Sequence, residues 1–179
     1  KKFKQRHLWE GNIMHRFFFS TKDTFINSGS STLDGETFLD KNVGQDEILE
    51  LKKVFYNRTF RNPTRILIQF DADEIENFIS SSNIGSTSYS ASLRLYETKG
   101  TSGLSETYKI AAYPISQSWD EGIGKESDRP KTTEGASWKY KDGLTDGTLW
   151  YPAISSSGGV WHSGSGYEAS QSFTHEPSD

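Results

Sequence analysis

The sequence predicts an all-β fold, an antiparallel β-sandwich with one short helix near residues 73–79. Short segments that alternate apolar and polar residues are separated by turn-forming residues roughly every ten positions. The 16 Gly among 179 residues suit such frequent tight turns. Hydrophobic residues make up only 32 % of the chain, but aromatic residues reach 13 %, so a few large rings would fill a thin core between two sheets.

The first third of the chain predicts strands separated by a long loop. Residues 16–27 contain one or two strands, and residues 28–47, rich in Gly, Ser, Asp and Asn, predict a surface loop. Residues 48–56 predict a strand, although several good helix formers leave a helix open as the alternative. The apolar residues that share one parity there are Leu49, Leu51 and Phe55.

The clearest strand lies at residues 65–70. Ile66, Ile68 and Phe70 alternate with Arg65 and Gln69. Because successive strand residues point to opposite faces, the three apolar residues are expected to be buried and the two polar ones exposed.

A short helix is predicted directly after this strand, at residues 73–79. Asp71 or Asp73 would cap its N-terminus, since a carboxylate there accepts hydrogen bonds from unpaired backbone N–H groups. Glu74 and Glu76 suit its first turn, where negative charge is favoured by the helix dipole.

The second half predicts a hairpin followed by loops. Residues 90–98 form a strand with Leu93 and Leu95 inward and Arg94 outward, and residues 106–115 form its partner across a Gly-containing turn. The remaining segments are predicted as loops at 80–88, 119–130 and 155–159 and as short strands at 136–140 and 148–151.

Composition excludes several classes of partner. The net charge of −4 argues against nucleic acid, which needs a basic surface. No apolar run approaches the ~18 residues of a membrane helix. The absence of Cys excludes disulfides, thiolate metal sites and thiol catalysis.

The residues that could carry catalysis do not form a recognisable set. Asp120 and Glu121 are adjacent, so on an extended strand they point to opposite faces and cannot flank one sugar ring. Asp71 and Asp73 are explained as helix-capping residues. No two of the four His have metal-binding spacing, and no Gly-x-Ser-x-Gly elbow follows a strand. We therefore predict a protein that is not an enzyme.

A calcium site was considered at residues 40–46, where Asp40, Asn42 and Asp46 place side-chain oxygens at alternate positions. The segment lacks the Gly and Glu of an EF-hand loop. No metal ligands are assigned and no cofactor is predicted, with a structural calcium left open.

Aromatic residues carry the only predicted binding chemistry, because rings stack on the apolar faces of sugars. Six of them lie in the last third of the chain, and packing in the core or between subunits is the alternative role. The candidate glycan-binding residues are Trp138, Tyr140, Trp150, Tyr151, Trp161 and Tyr167. Trp119 is instead expected in the core.

Four motifs in order resemble the DNRLRE family of carbohydrate-binding-type modules. They read Thr-Lys-Asp-Thr-Phe-Ile-Asn-Ser-Gly-Ser (21–30), Thr-Arg-Ile-Leu-Ile-Gln-Phe-Asp (64–71), Ser-Ala-Ser-Leu-Arg-Leu-Tyr-Glu-Thr (90–98) and Tyr-Lys-Ile-Ala-Ala-Tyr-Pro-Ile-Ser-Gln-Ser-Trp-Asp-Glu-Gly (108–122). The resemblance implies a jelly-roll-like sandwich. It also implies a structural or adhesion module, because such modules occur in virion proteins of tailed bacteriophages and in secreted surface proteins.

The resemblance implies one sandwich at 14–179. Residues 1–13 are predicted to form a basic arm or linker, because they include Lys1, Lys2, Lys4 and Arg6. The family's closing strands are not visible, so a longer gene product or a neighbouring chain would complete the sheet. The expected role is a capsid decoration, neck or tail-fibre component that contacts other virion subunits, forms a homo-oligomer and binds host-surface polysaccharide. The alternative is an extracellular carbohydrate-binding module of a polysaccharide-processing enzyme or cell-surface protein.

Overall fold

The fold is antiparallel and its regular structure is mostly strand, with one short helix. The computed structural model describes residues 15–29, 37–85, 88–96, 98, 107–113, 115, 117–143, 147–150 and 167–172. Its elements in chain order are β1 Ser20–Asn27, β2 Val54–Tyr56, β3 Thr59–Arg61, β4 Thr64–Phe70, α1 Ala72–Ser81, β5 Thr107–Ala112 and β6 Tyr167–Ser172. The predicted all-β class with one helix is confirmed at this level.

The strands pair into three antiparallel two-stranded sheets, β1 with β4, β2 with β3, and β5 with β6. The β1–β4 sheet is the longest and brings Phe25 opposite Ile66 and Thr24 opposite Leu67. The β2–β3 hairpin closes through Asn57 and Arg58, both with positive φ, as a two-residue hairpin turn requires.

The helix forms as the sequence predicts, with Asp71 as its N-cap. The Asp71 carboxylate accepts hydrogen bonds from the backbone N–H groups of Asp73 and Glu74, at 2.9 and 3.1 Å. Phe78 of α1 packs edge-on against Phe18, with ring centroids 5.8 Å apart, so the helix is held against the segment that precedes β1. None of the helices described is long and apolar enough to cross a membrane.

The assignment of faces on β4 is wrong. The fully buried residue is Leu67, while Ile66, Ile68 and Phe70 are only partly buried. Leu67 shares a face with Arg65 and Gln69, which stay exposed as expected. That face nevertheless meets the core, because tryptophans from later loops cover it and the long Arg65 side chain can lie along them.

The predicted hairpin between 90–98 and 106–115 is also wrong. The described residues 88–96 form no strand, and Leu93 and Leu95 are 52 % and 51 % exposed. The partner of β5 is β6, about 60 positions further along the chain. Alternation can identify a segment able to pair, but it carries no information on which distant segment pairs with it.

The predictions for two further segments need correction. In the segment 48–56 only Val54–Tyr56 is strand, and residues 48–53 have no regular structure, so neither the full strand nor the helix forms. The predicted surface loop at 28–47 contains a buried stretch at 41–44. The segment 119–130 has no helix or strand, as predicted. Among the described residues of 136–140 and 148–151, which were predicted as short strands, only Tyr140 and Leu149 pair, in an isolated β-bridge. The arm at 1–13 and the loop at 155–159 lie outside the described residues.

Candidate functional site

A layer of tryptophans covers one face of the β1–β4 sheet. Trp119, Trp138 and Trp150 belong to the buried core together with residues of both strands. The Lys22 ammonium lies 4.8 Å from the Trp119 ring centroid, and the Arg65 guanidinium lies 4.6 Å from that of Trp138. Partial desolvation of the guanidinium lowers the pKa of Arg65, although the residue as a whole is exposed, and it stays cationic at any physiological pH. The prediction that Trp119 is a core residue is confirmed.

The six candidate glycan-binding residues do not share one environment. Trp138 and Trp150 are buried, and Trp150 is only 1 % exposed, with its indole N–H donating to the carbonyl of Ser137 at 2.9 Å. Neither ring has an exposed face on which a sugar could stack. Both therefore have the alternative role, which is packing in the core. Tyr140 is partly buried, and only the backbone is described for Tyr167. Tyr151 and Trp161 lie outside the described residues.

The side chain of Asn42 is fully buried and makes several hydrogen bonds to the backbone. Its amide nitrogen donates to the carbonyls of Glu121 and Ala136, at 2.8 and 2.9 Å. Its amide oxygen accepts from the N–H groups of Gly44 and Gly124, at 3.1 and 2.9 Å. Both donors and both acceptor positions of the amide are therefore used, and one side chain joins three separate loop segments.

Glycines let these loop segments approach Asn42 closely. Gly122 and Gly135 have φ of 81° and 107°, a region that L side chains rarely adopt. A Cβ added at Gly122 would lie 2.3 Å from the Asn42 amide oxygen, and one at Gly135 would lie 2.4 Å from the Cα of Gly122. We call this arrangement of Asn42 with residues 121–124 and 135–136 the Asn42 knot.

A buried lysine next to the knot fixes the following loop. The Lys41 ammonium donates to the carbonyls of Glu126 and Asp128, at 2.6 and 3.4 Å, and lies 5.6 Å from the Phe38 ring centroid. Because carbonyl oxygens and an aromatic face both stabilise a cation, this pocket allows the ammonium group to be buried.

Asp128 organises the same loop from its own carboxylate. The backbone N–H of Lys125, at 2.8 Å, and the Thr132 hydroxyl, at 2.7 Å, donate to it. These two hydrogen bonds, the first being the larger effect, lower the pKa of Asp128 because they favour the charged form.

Within each carboxylate pair that was a catalytic candidate, one member has a structural hydrogen bond. Glu121 accepts a hydrogen bond from the backbone N–H of Asp23 at 2.8 Å and so ties its loop to β1. Asp120 is exposed, and Asp71 caps α1. The described contacts of Glu121 and Asp71 are therefore structural.

The oxygens of the calcium candidate are occupied by protein groups. Asp40 forms a salt bridge with Lys131 at 2.7 Å, Asn42 belongs to the knot, and Asp46 accepts from the N–H of Glu126 at 3.0 Å. Across the part of the chain that the structure describes, no three His, Cys, Asp or Glu side chains group as metal ligands. The residues considered for calcium thus serve to fix loops in the structure described.

Sequence reasoning missed the Asn42 knot. The available signal was Asn42 followed by Gly44, a pattern in which an Asn side chain accepts from the backbone two residues later. The bonds to Glu121, Gly124 and Ala136 span 79 to 94 positions and have no local signature.

Large apolar side chains are exposed at two places beside the β1–β4 sheet. One group is on the β2–β3 hairpin, and the other lies where α1 packs on the segment before β1, with Arg94 5.9 Å from the Phe17 ring. The exposed residues of the two groups are Val54, Phe55 and Tyr56 on the hairpin, and Phe17, Phe19, Leu93, Leu95 and Tyr96 near α1.

Comparison of the chain with protein-family models, with curated proteins and with solved structures finds no match in any of the three. The described structure by itself defines a β-rich module with a small tryptophan core, loops fixed by buried polar side chains, and two exposed apolar surfaces.

Proposed function

We propose that this chain is a non-catalytic structural module of a tailed-bacteriophage virion, built as a DNRLRE-type jelly-roll-like sandwich. It would act as a capsid decoration, neck or tail-fibre component that contacts other subunits. The single observation that carries the proposal is the exposed apolar surface. Phe55 is 64 % exposed and Phe19 is 82 % exposed. Each belongs to one of the two exposed apolar groups described above, and such groups mark sites where another molecule packs.

The bonding of the polar side chains supports the same proposal. Glu121, Asp71, Asp46 and Asn42, which could have supplied ligands or proton transfer, are all hydrogen-bonded to backbone groups. Polar side chains used in this way hold loops in one conformation. A repeated subunit of a particle needs loops of fixed conformation and exposed apolar surface for its neighbours. The described structure has both features.

The test is to locate the protein in particles. Virions of the phage that carries this gene would be purified, analysed by mass spectrometry and labelled with antibodies to the chain for electron microscopy. We expect a fixed copy number in each particle and a label at one part of the virion. Clean particles without the protein would refute the proposal.

A carbohydrate-binding role remains the second candidate because the exposed rings include amphipathic ones. Tyr56 is exposed and the Arg61 guanidinium lies over its ring, 5.6 Å from the centroid, so a ring and a cation are exposed together. Such a pair can stack on a sugar and hydrogen-bond its hydroxyls. Affinity electrophoresis in polysaccharide gels tests this: retardation of the parent that is lost in Tyr56→Ala would support it, and unretarded migration on host-surface polysaccharides would not.

A further inference from the structure

The β2–β3 hairpin combines basic and aromatic residues although the chain as a whole is negative. Residues 52–61 read Lys-Lys-Val-Phe-Tyr-Asn-Arg-Thr-Phe-Arg, with four basic residues and no acidic one, in a chain of net charge −4. Lys52 is paired with Glu50, and Lys53, Arg58 and Arg61 are exposed. We call this segment the basic hairpin.

The basic hairpin carries large apolar side chains that remain exposed in the chain itself. Val54, Phe55 and Tyr56 are all exposed, although residues 54 and 55 lie on opposite faces of the ribbon. A two-stranded hairpin is only marginally stable in water without a surface to pack on. Exposed rings on both faces therefore offer apolar surface on which another molecule can pack.

A surface of opposite charge lies at the other end of β4. Residues 71–76 contain Asp71, Asp73, Glu74 and Glu76 and no basic residue. The same end carries exposed Phe17 and Phe19, since Arg16 pairs with Glu74 at 2.8 Å and Phe18 packs on Phe78. Arg94 also lies 5.9 Å from the Phe17 ring, so four acidic residues outnumber two arginines there. We call residues 71–76 together with Phe17 and Phe19 the acidic end.

The two surfaces join opposite ends of β4. The basic hairpin joins the first residue of β4, since Thr64 bonds to the backbone of Lys52, and the acidic end follows its last residue, Phe70. A seven-residue strand separates them by about 20 Å.

We propose that the basic hairpin of one copy of this chain docks on the acidic end of a second copy. Charge complementarity aligns the two copies, and the rings of both surfaces pack together where they meet. The contact joins two different surfaces, so it repeats head to tail and builds a ring or a linear array. This inference rests on the proposal that the module works in an assembly of repeated subunits, and names the surfaces that join them.

Sedimentation equilibrium on the 179-residue chain tests the contact. We expect concentration-dependent self-association at low salt that weakens as NaCl is raised, because exposed charges are screened. Arg58→Glu on the hairpin and Glu76→Lys on the helix each replace one attraction by a repulsion. Each is expected to weaken association about fivefold.

Mixing the two variants distinguishes this pairing from any other. The altered hairpin is then matched by the altered helix, and the unaltered surfaces still match each other, so association is expected to return to near the parent level. Lys125→Glu and Glu47→Lys are the matched controls, since both side chains are exposed, belong to neither the basic hairpin nor the acidic end, and give the same changes of net charge. They are expected to leave association unchanged.

Several results would overturn the proposal. These are a chain that stays monomeric at low salt, association that is equally weakened by the controls, and a mixture no stronger than its weaker component. Binding of the parent hairpin to a polyanion such as heparin in place of self-association would also overturn it. A negative result here together with protein located in virions would reject only this interface, whereas association without virion protein would reject only the proposed function.

Discussion

The Asn42 knot makes a strong prediction about stability. Asn42→Ala removes the two N–H groups and the oxygen that together make four hydrogen bonds to buried backbone. The carbonyls of Glu121 and Ala136 and the N–H groups of Gly44 and Gly124 then lose these partners. At about 1 kcal/mol for each bond, the free energy of unfolding falls by about 4 kcal/mol. That is a large part of the ~5–15 kcal/mol that holds a typical domain together.

The loss can be measured by urea unfolding, followed through the fluorescence of the buried Trp119, Trp138 and Trp150. For a domain of this size, about 4 kcal/mol corresponds to a fall in melting temperature of roughly 10 °C. Asn42→Asp keeps the shape and one acceptor but loses the donors and adds a buried charge, so it is expected to be at least as destabilising.

Asn77→Ala is the matched control, because Asn77 is exposed on α1. It is expected to change stability by no more than about 0.5 kcal/mol. If Asn42→Ala costs less than about 1 kcal/mol and keeps the parent's urea slope, the four bonds do not hold the loops together and the reasoning fails.

Three further changes test local features. Gly135→Ala would place a Cβ 2.4 Å from a neighbouring Cα at φ of 107°, so we expect a loss of about 3 kcal/mol in urea unfolding, and an unchanged midpoint would contradict this backbone geometry. Asp71→Ala removes the cap of α1 and is expected to cost about 1 kcal/mol in the same assay, whereas a helix capped by other groups would show no loss. The pKa of Asp128 is lowered in the folded state by the Lys125 N–H and the Thr132 hydroxyl, so its stabilising effect is present above about pH 4 and is lost as the pH falls through the lowered value. Thr132→Val is expected to raise that pKa towards its ordinary value in an NMR titration, and an unshifted titration would show that the hydroxyl has no effect.

Features set by neighbouring residues could be predicted from the sequence. The helix after β4 and its Asp71 cap follow from the order of polar and apolar residues over about ten positions. The strand β4 was also identified, but its buried residue was not, because both of its faces carry apolar side chains. Leu67 is buried by tryptophans that lie more than 50 positions away, and no local pattern distinguishes it from Ile68.

Features set by distant contacts could not be predicted. β5 pairs with β6 across about 60 positions, and the apparent partner at 90–96 forms no strand. Asn42 was placed in a surface loop because Asn usually occurs there, whereas its burial depends on four backbone groups, three of them at least 79 positions away. The candidate glycan-binding rings were grouped by their nearness in sequence, but Trp138 and Trp150 are core residues.

The polar anchors and the exposed surfaces lie in different parts of the structure, and this separates two kinds of effect. Most of the described chain is loop, so backbone groups that a sheet would pair are bonded by buried side chains such as Asn42 and Lys41. These anchors do not use the outer charges of the basic hairpin or of α1. We therefore expect Arg58→Glu to change association with little effect on stability, and Asn42→Ala to change stability first. If Arg58→Glu lowered the unfolding free energy as much as Asn42→Ala, the hairpin would belong to the folded core and could not serve as a docking surface.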